Sequence, residues 1–130
     1  MGQQQLLLIV LGVIVVGIAV VVGINLFNAN AVSANRDAVV SDLNNLGAMA
    51  MQYYKKPASM GGGANSFVGF DSTKVTGLTT TANGTYTISG QSQTSVTIVG
   101  IGTEIGNDKA NKVKATATVT PTAITVVTNN

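Results

Sequence analysis

Few side chains in this sequence can do covalent or acid–base chemistry. The chain has no histidine and no cysteine, so the commonest general base, the thiolate nucleophile and the usual transition-metal ligands are missing. Its carboxylates are Asp37, Asp42, Asp71, Glu104 and Asp108. Glu104, Asn107 and Asp108 sit close enough in sequence to offer oxygens to Ca²⁺, but their spacing matches no calcium loop, and that ion takes about 6–8 ligands. The run Gly100-Ile101-Gly102-Thr103-Glu104-Ile105-Gly106 has the glycine density of a phosphate loop. Dinucleotide binding needs such glycines between a strand and a helix, and no helical pattern follows, so a turn between strands is expected. Asn83-Gly84-Thr85 has the form of an N-glycosylation acceptor on an expected hairpin turn, which would expose it, although turn chemistry alone accounts for the Asn-Gly pair. No catalytic residue, cofactor or metal is assigned, and the chain is not expected to be an enzyme.

Charge points the same way. Seven basic and five acidic residues leave a net charge of +2, too small and too dispersed to favour nucleic acid as a partner. The aromatics Phe27, Tyr53, Tyr54, Phe67, Phe70 and Tyr86 are too few for a conducting or stacking array, and packing in a core accounts for most of them. Surfaces, not reactive groups, are left to carry the function.

The most unusual surface lies near the N-terminus. Residues 6–24 contain no charged and no polar side chain, and about 20 apolar residues are enough to cross a bilayer as a helix. The preceding Met1-Gly2-Gln3-Gln4-Gln5 carries no cation, and Arg36 is the first; a basic flank of the ordinary kind is supplied by something cleaved off or by nothing, and a removed leader is expected. Gly12, Gly17 and Gly23 are five and six residues apart, so they form no GxxxG seam. Scattered around the axis, they suit a helix contacted from several sides, and they mark where it would unwind most easily.

The helical pattern continues past residue 24 with a change of character. Val32, Val39, Leu43, Leu46, Ala50 and Tyr53 follow at steps of seven, four, three, four and three, one apolar stripe on an amphipathic helix. Lys55 and Lys56 suit the negative end of its dipole, and Pro57 ends it. A continuous helix over residues 1–56 would be about 84 Å long at about 1.5 Å per residue, far more than a bilayer needs. The segment 57–66, centred on Gly61-Gly62-Gly63, reads as a flexible connector. Beyond it the period becomes two. Strands are expected at residues 85–89, 95–98, 112–120 and 123–128, the clearest having Val113, Ala115, Ala117 and Val119 on one face and Lys or Thr on the other. An antiparallel sheet with one wet face needs an apolar cover, which the helical stripe supplies. The expected fold is α+β: a long N-terminal α-helix, apolar then amphipathic, packed on a small antiparallel β-sheet head. Its parts are an apolar core helix (1–27), an amphipathic helix (28–56), the connector (57–66) and the β head (67–130).

This layout resembles the type IV pilins and the related secretion pseudopilins. The overlap covers about the first 56 residues, chiefly residues 1–27, while the head agrees in architecture alone. The resemblance implies a pilin-like major filament subunit that polymerises as a homopolymer through its apolar helix. It further implies a membrane-inserted pool before assembly, processing by a prepilin peptidase, handling by pilus assembly machinery, and a place in an extracellular cell-surface filament used for adhesion or motility. Met1 would then be the mature first residue. A cut after Gly2 is the alternative, leaving Gln3 first. The assembly helix would present Met1, Gln5, Leu6, Leu7, Leu8, Ile9, Leu11, Gly12, Val16, Gly17, Val20, Gly23, Leu26 and Phe27. Where such pilins carry a glutamate at the fifth mature position this chain has Gln5, which can hydrogen-bond to a neighbour's amine but brings no charge. Val22 stands where a helix-melting proline is common, and the cysteine-free head has no disulfide. Two other readings share the architecture: a secretion-system pseudopilin acting as a piston, and a monomeric membrane-anchored binding module.

Overall fold

The computed structural model describes residues 2–130, so Met1, the expected first mature residue, lies outside the described residues. The chain falls into two compact units, Met1–Ala31 and Val32–Asn130. One helix, α1 (Gln3–Lys55), contributes to both, and it remains helical through Gly12, Gly17 and Gly23. In the second unit it is followed by short 3₁₀ turns at Ala58–Met60 and Ser72–Val75. Five strands complete the chain: β1 (Thr80–Thr81), β2 (Gly84–Ser89), β3 (Val96–Ile105), β4 (Lys112–Val119) and β5 (Ile124–Thr128). They form one antiparallel meander in the order β1-β2-β3-β4-β5. The architecture is therefore the expected α+β one, a long N-terminal helix packed on an antiparallel sheet.

The core follows from two periodicities meeting. Val39, Leu43, Leu46 and Ala50 of α1 are buried, as are Val96 and Ile98 of β3 and Ala115, Ala117 and Val119 of β4. Side chains three and four apart share a helix face and alternate residues share a sheet face, so each element offers one dry side to the other. Phe67, Phe70 and Val75 from the segment between helix and sheet close the end of this core. Tyr54 stacks on Phe67 at 4.8 Å between ring centroids, and Tyr53 meets Phe70 at 5.4 Å.

Two expectations are corrected. The glycine-rich run from Gly100 is not a turn: Gly100, Gly102 and Glu104 lie within β3, and the pairing with β4 is interrupted by an irregularity between Ile101 and Ile105. Glycine is needed at position 100 because a Cβ there would stand 2.8 Å from the Tyr86 ring and 2.9 Å from a Val39 methyl. At position 102 it would strike the side-chain oxygen of Asn35. These glycines let the helix approach the sheet, a role that periodicity does not reveal.

The Gly61-Gly62-Gly63 segment, in turn, is bound to the end of α1. Gly63 N–H donates to the Tyr53 carbonyl (2.8 Å), Ala64 N–H to Lys56 (3.0 Å) and Asn65 N–H to Tyr54 (2.7 Å). These bonds satisfy the orphan carbonyls at a helix C-terminus. Gly61 supplies the left-handed backbone that turns the chain back, at φ 79°.

Filling the approach at Gly100 should therefore be costly. Gly100→Val is expected to destabilise the head by about 1–3 kcal/mol through overpacking, read as a lower urea midpoint at unchanged slope. Gly12→Ala, where a Cβ meets nothing within 4 Å, should leave the midpoint in place. Equal midpoints for Gly100→Val and the parent chain would contradict the close-approach explanation.

Candidate functional site

The first unit has one dominant property. From Leu6 to Phe27 its large hydrophobic side chains are exposed, from 52% at Leu6 to 75% at Phe27. Leu7, Leu8, Ile9, Leu11, Val16, Val20 and Leu26 all belong to this surface. Consecutive positions such as Leu6 to Leu11 are all exposed, so the apolar character runs around the whole axis. A helix that is apolar on all sides is found buried in lipid or in protein, whereas a one-sided helix packs on a single core. Each Leu, Ile or Val taken from water contributes roughly 1.5–3 kcal/mol. By length and composition α1 can cross a membrane. Gln3, Gln4 and Gln5 at its start are exposed, and the Gln5 and Leu6 N–H groups both donate to the Gly2 carbonyl.

Gly12, Gly17 and Gly23 belong to the same surface. A Cβ added at any of them would meet nothing within 4 Å. Each glycine costs about 0.5–1 kcal/mol against alanine in a helix, and no contact among the described residues offsets that cost.

The second unit contains the polar chemistry, and it serves to hold the sheet on the helix. Asp42 of α1 accepts hydrogen bonds at one carboxylate oxygen from the Tyr86 hydroxyl (2.6 Å), the Thr81 hydroxyl (3.0 Å) and the Asn83 amide (3.1 Å). Partial burial pushes the Asp42 carboxyl upward, but the hydrogen bonds from Tyr86, Asn83 and Thr81 outweigh it and hold the group below its ordinary value. Burial and the adjoining carboxylate raise the Tyr86 phenol. About two turns earlier on α1, the Asn35 side-chain oxygen accepts from the Thr103 and Glu104 N–H groups (3.1 and 3.3 Å). Its amide donates to the Asn83 carbonyl at 2.9 Å. Asn35 thus bridges Thr103 to Asn83 just beyond Gly84 and Gly102, the last pair of the β2–β3 ladder.

The residues singled out from sequence fall into this scheme. Asn83 is half-buried, with its side-chain nitrogen engaged by Asp42 and its carbonyl by Asn35, not free on a turn. Asp108 accepts from Ala110 N–H, Asn111 N–H and the Asn111 and Asn130 side-chain amides. Those bonds depress its carboxyl and direct its oxygens to its own loop and to Asn130. Asp71 caps the 3₁₀ turn that follows it, accepting from Thr73 N–H at 2.9 Å. Glu104 is exposed, and no cluster of three carboxylates suited to a metal occurs among the described residues. The Asn35 and Asp42 anchors were not foreseen from sequence; both flank Val39 at the edge of the apolar stripe, where an Asn or Asp reads as solvated unless its partner on another element is known.

No family model matches this chain, and neither curated proteins nor solved structures return a match.

The Asp42 node carries a pH dependence of known sign. Its folded carboxyl titrates below the ordinary value of 3.8, so its contribution to stability is complete above that value and is lost as pH falls through the folded one. Asp42→Ala strands the buried Tyr86 hydroxyl, and should cost about 1–3 kcal/mol at neutral pH. The variant should also lose less stability than the parent between pH 7 and pH 3, as read from urea midpoints. An unchanged acid dependence would exclude Asp42 as a titrating anchor.

Proposed function

We propose that this chain is the structural subunit of an extracellular filament of the type IV pilin kind. Residues 6–27 form the polymerising core, and the β head forms the outer sheath. The observation that carries the reading is the apolar surface on all sides of residues 6–27, uncovered among the described residues. A single-pass anchor accounts for the apolar length. The three glycines favour protein neighbours in addition, because close approach of helix backbones is a use for glycine that lipid does not require. In this reading the helix rests in the membrane before assembly and passes into a bundle of identical helices. The assembly residues are Gln5, Leu6, Leu7, Leu8, Ile9, Leu11, Gly12, Val16, Gly17, Val20, Gly23, Leu26 and Phe27. Processing by a prepilin peptidase and export by pilus machinery belong to the same proposal, with adhesion or motility as the output.

Lacking a charge, Gln5 joins the core as a hydrogen-bonding amide. A buried amide without a partner costs about 1–3 kcal/mol, so its partner is Gln3 or Gln4 of an adjacent subunit or an N-terminal amine.

Removing the apolar segment separates assembly from folding. A shortened chain beginning at Asn28 should sediment as a monomer with its sheet signal in circular dichroism intact, while the full chain gives filaments in negative-stain images of sheared surface material. A shortened chain that still polymerises would move the assembly contact into the head. A full chain found only as single membrane-bound copies would favour the anchored binding module.

A further inference from the structure

The two edges of the sheet are built differently. β1, at one edge, has two residues, whereas β5 at the other has five and no register shift against β4. Natural edge strands are commonly guarded by charge, proline, a bulge or extreme shortness. Ile124-Thr125-Val126-Val127-Thr128 has none of these guards.

The hydrogen-bond parity of β5 determines what its free edge offers. Thr120 N–H donates to the Ala123 carbonyl (2.9 Å), and Asn129 N–H donates to the Lys114 carbonyl (2.8 Å). Between them the register pairs Thr118 with Thr125 and Thr116 with Val127. Directly opposed residues alternate between bonded and non-bonded pairs, so Thr125 and Val127 spend their backbone groups on β4. Ile124, Val126 and Thr128 therefore turn their N–H and C=O groups outward.

We infer that this edge pairs with the β5 edge of a second copy of the chain, antiparallel and centred on Val126. That register sets Val126 against Val126 and Ile124 against Thr128, and about six backbone hydrogen bonds form between the outward groups. A two-fold contact places residues near the axis against themselves or their close neighbours, so a charged edge would meet its own charge. β5 carries none, and its Thr–Val pairs are favourable across strands. The strand is thus suited to its own copy. The two-fold also reverses the helix segment that covers the sheet, so the contact joins copies of opposite direction, not successive subunits of one polar filament.

The register makes a covalent test specific. Thr125 and the partner copy's Val127 form a non-hydrogen-bonded pair, with Cα atoms about 4.5 Å apart, within the span of a disulfide. The chain has no cysteine of its own. The full chain in mild detergent, carrying both Thr125→Cys and Val127→Cys, should give one discrete covalent dimer on oxidation. Either substitution alone should give at least tenfold less. Adding Val126→Pro, which removes an N–H directed away from β4, should abolish the dimer while the circular dichroism is kept. Equal dimer from single and double variants, a ladder of higher species, or no dimer would each overturn the pairing, and these controls hold whether or not the proline variant folds. Filaments present without the dimer would sink the edge contact and leave the filament reading standing.

Discussion

The head depends on one contact, the docking of the second half of α1 against the dry face of the sheet. An antiparallel meander of five strands has two faces and covers neither by itself, and here one helix, with Phe67, Phe70 and Val75 at its end, supplies one cover. Val39, Leu43, Leu46 and Ala50 meet Ile98, Ala115, Ala117 and Val119 in one cluster, so the apolar area removed from water on both elements is a single cooperative quantity. The approach is close because β3 has glycine where Val39 and the Asn35 side chain arrive. A bulkier residue there would lift the helix and expose the faces together.

Polar groups then fix where the helix sits. Apolar packing is tolerant of small slides, whereas Asn35 and Asp42 accept hydrogen bonds only at particular positions. Asn35 reads the end of the β2–β3 ladder, and Asp42 reads the hairpin between β1 and β2. Both are charged or polar groups near a core, and both have their partners, which is the condition under which such groups help specificity instead of costing stability. The same economy explains why Asp71 and Asp108 belong to turn architecture: a carboxylate saturated by N–H donors is a structural device, with little capacity left for a ligand.

One helix therefore changes role along its length. In residues 32–55 its apolar side chains occupy one stripe and find the sheet, while in residues 6–27 they occupy every side and are exposed among the described residues. The polarity of the helix surface, not a break in its backbone, divides the two units. Among the described residues nothing covers the apolar side chains of residues 6–27.

Much of this was legible in the residues. The stripe at steps of three and four predicted the buried helix face, and the alternation in residues 112–120 predicted which side of β4 is dry, because both are local patterns imposed by backbone geometry. The apolar run of residues 6–24 was equally plain, since only composition is needed to see it. What the residues did not disclose is everything that depends on who arrives from elsewhere in the chain. Gly100 and Gly102 looked like a turn because a glycine has no side chain to show a period, and their reason is a helix separated from them by some sixty residues of sequence. The segment around Gly61 looked flexible because its hydrogen-bond acceptors are carbonyls at the end of α1, which have no signature of their own. Asn83 looked exposed because its partner Asp42 lies on another element. Local periodicity decides which elements form and which faces are dry; only the tertiary structure decides which polar groups and glycines those faces bring together, because that pairing is set by distance in space and leaves no trace in spacing along the chain.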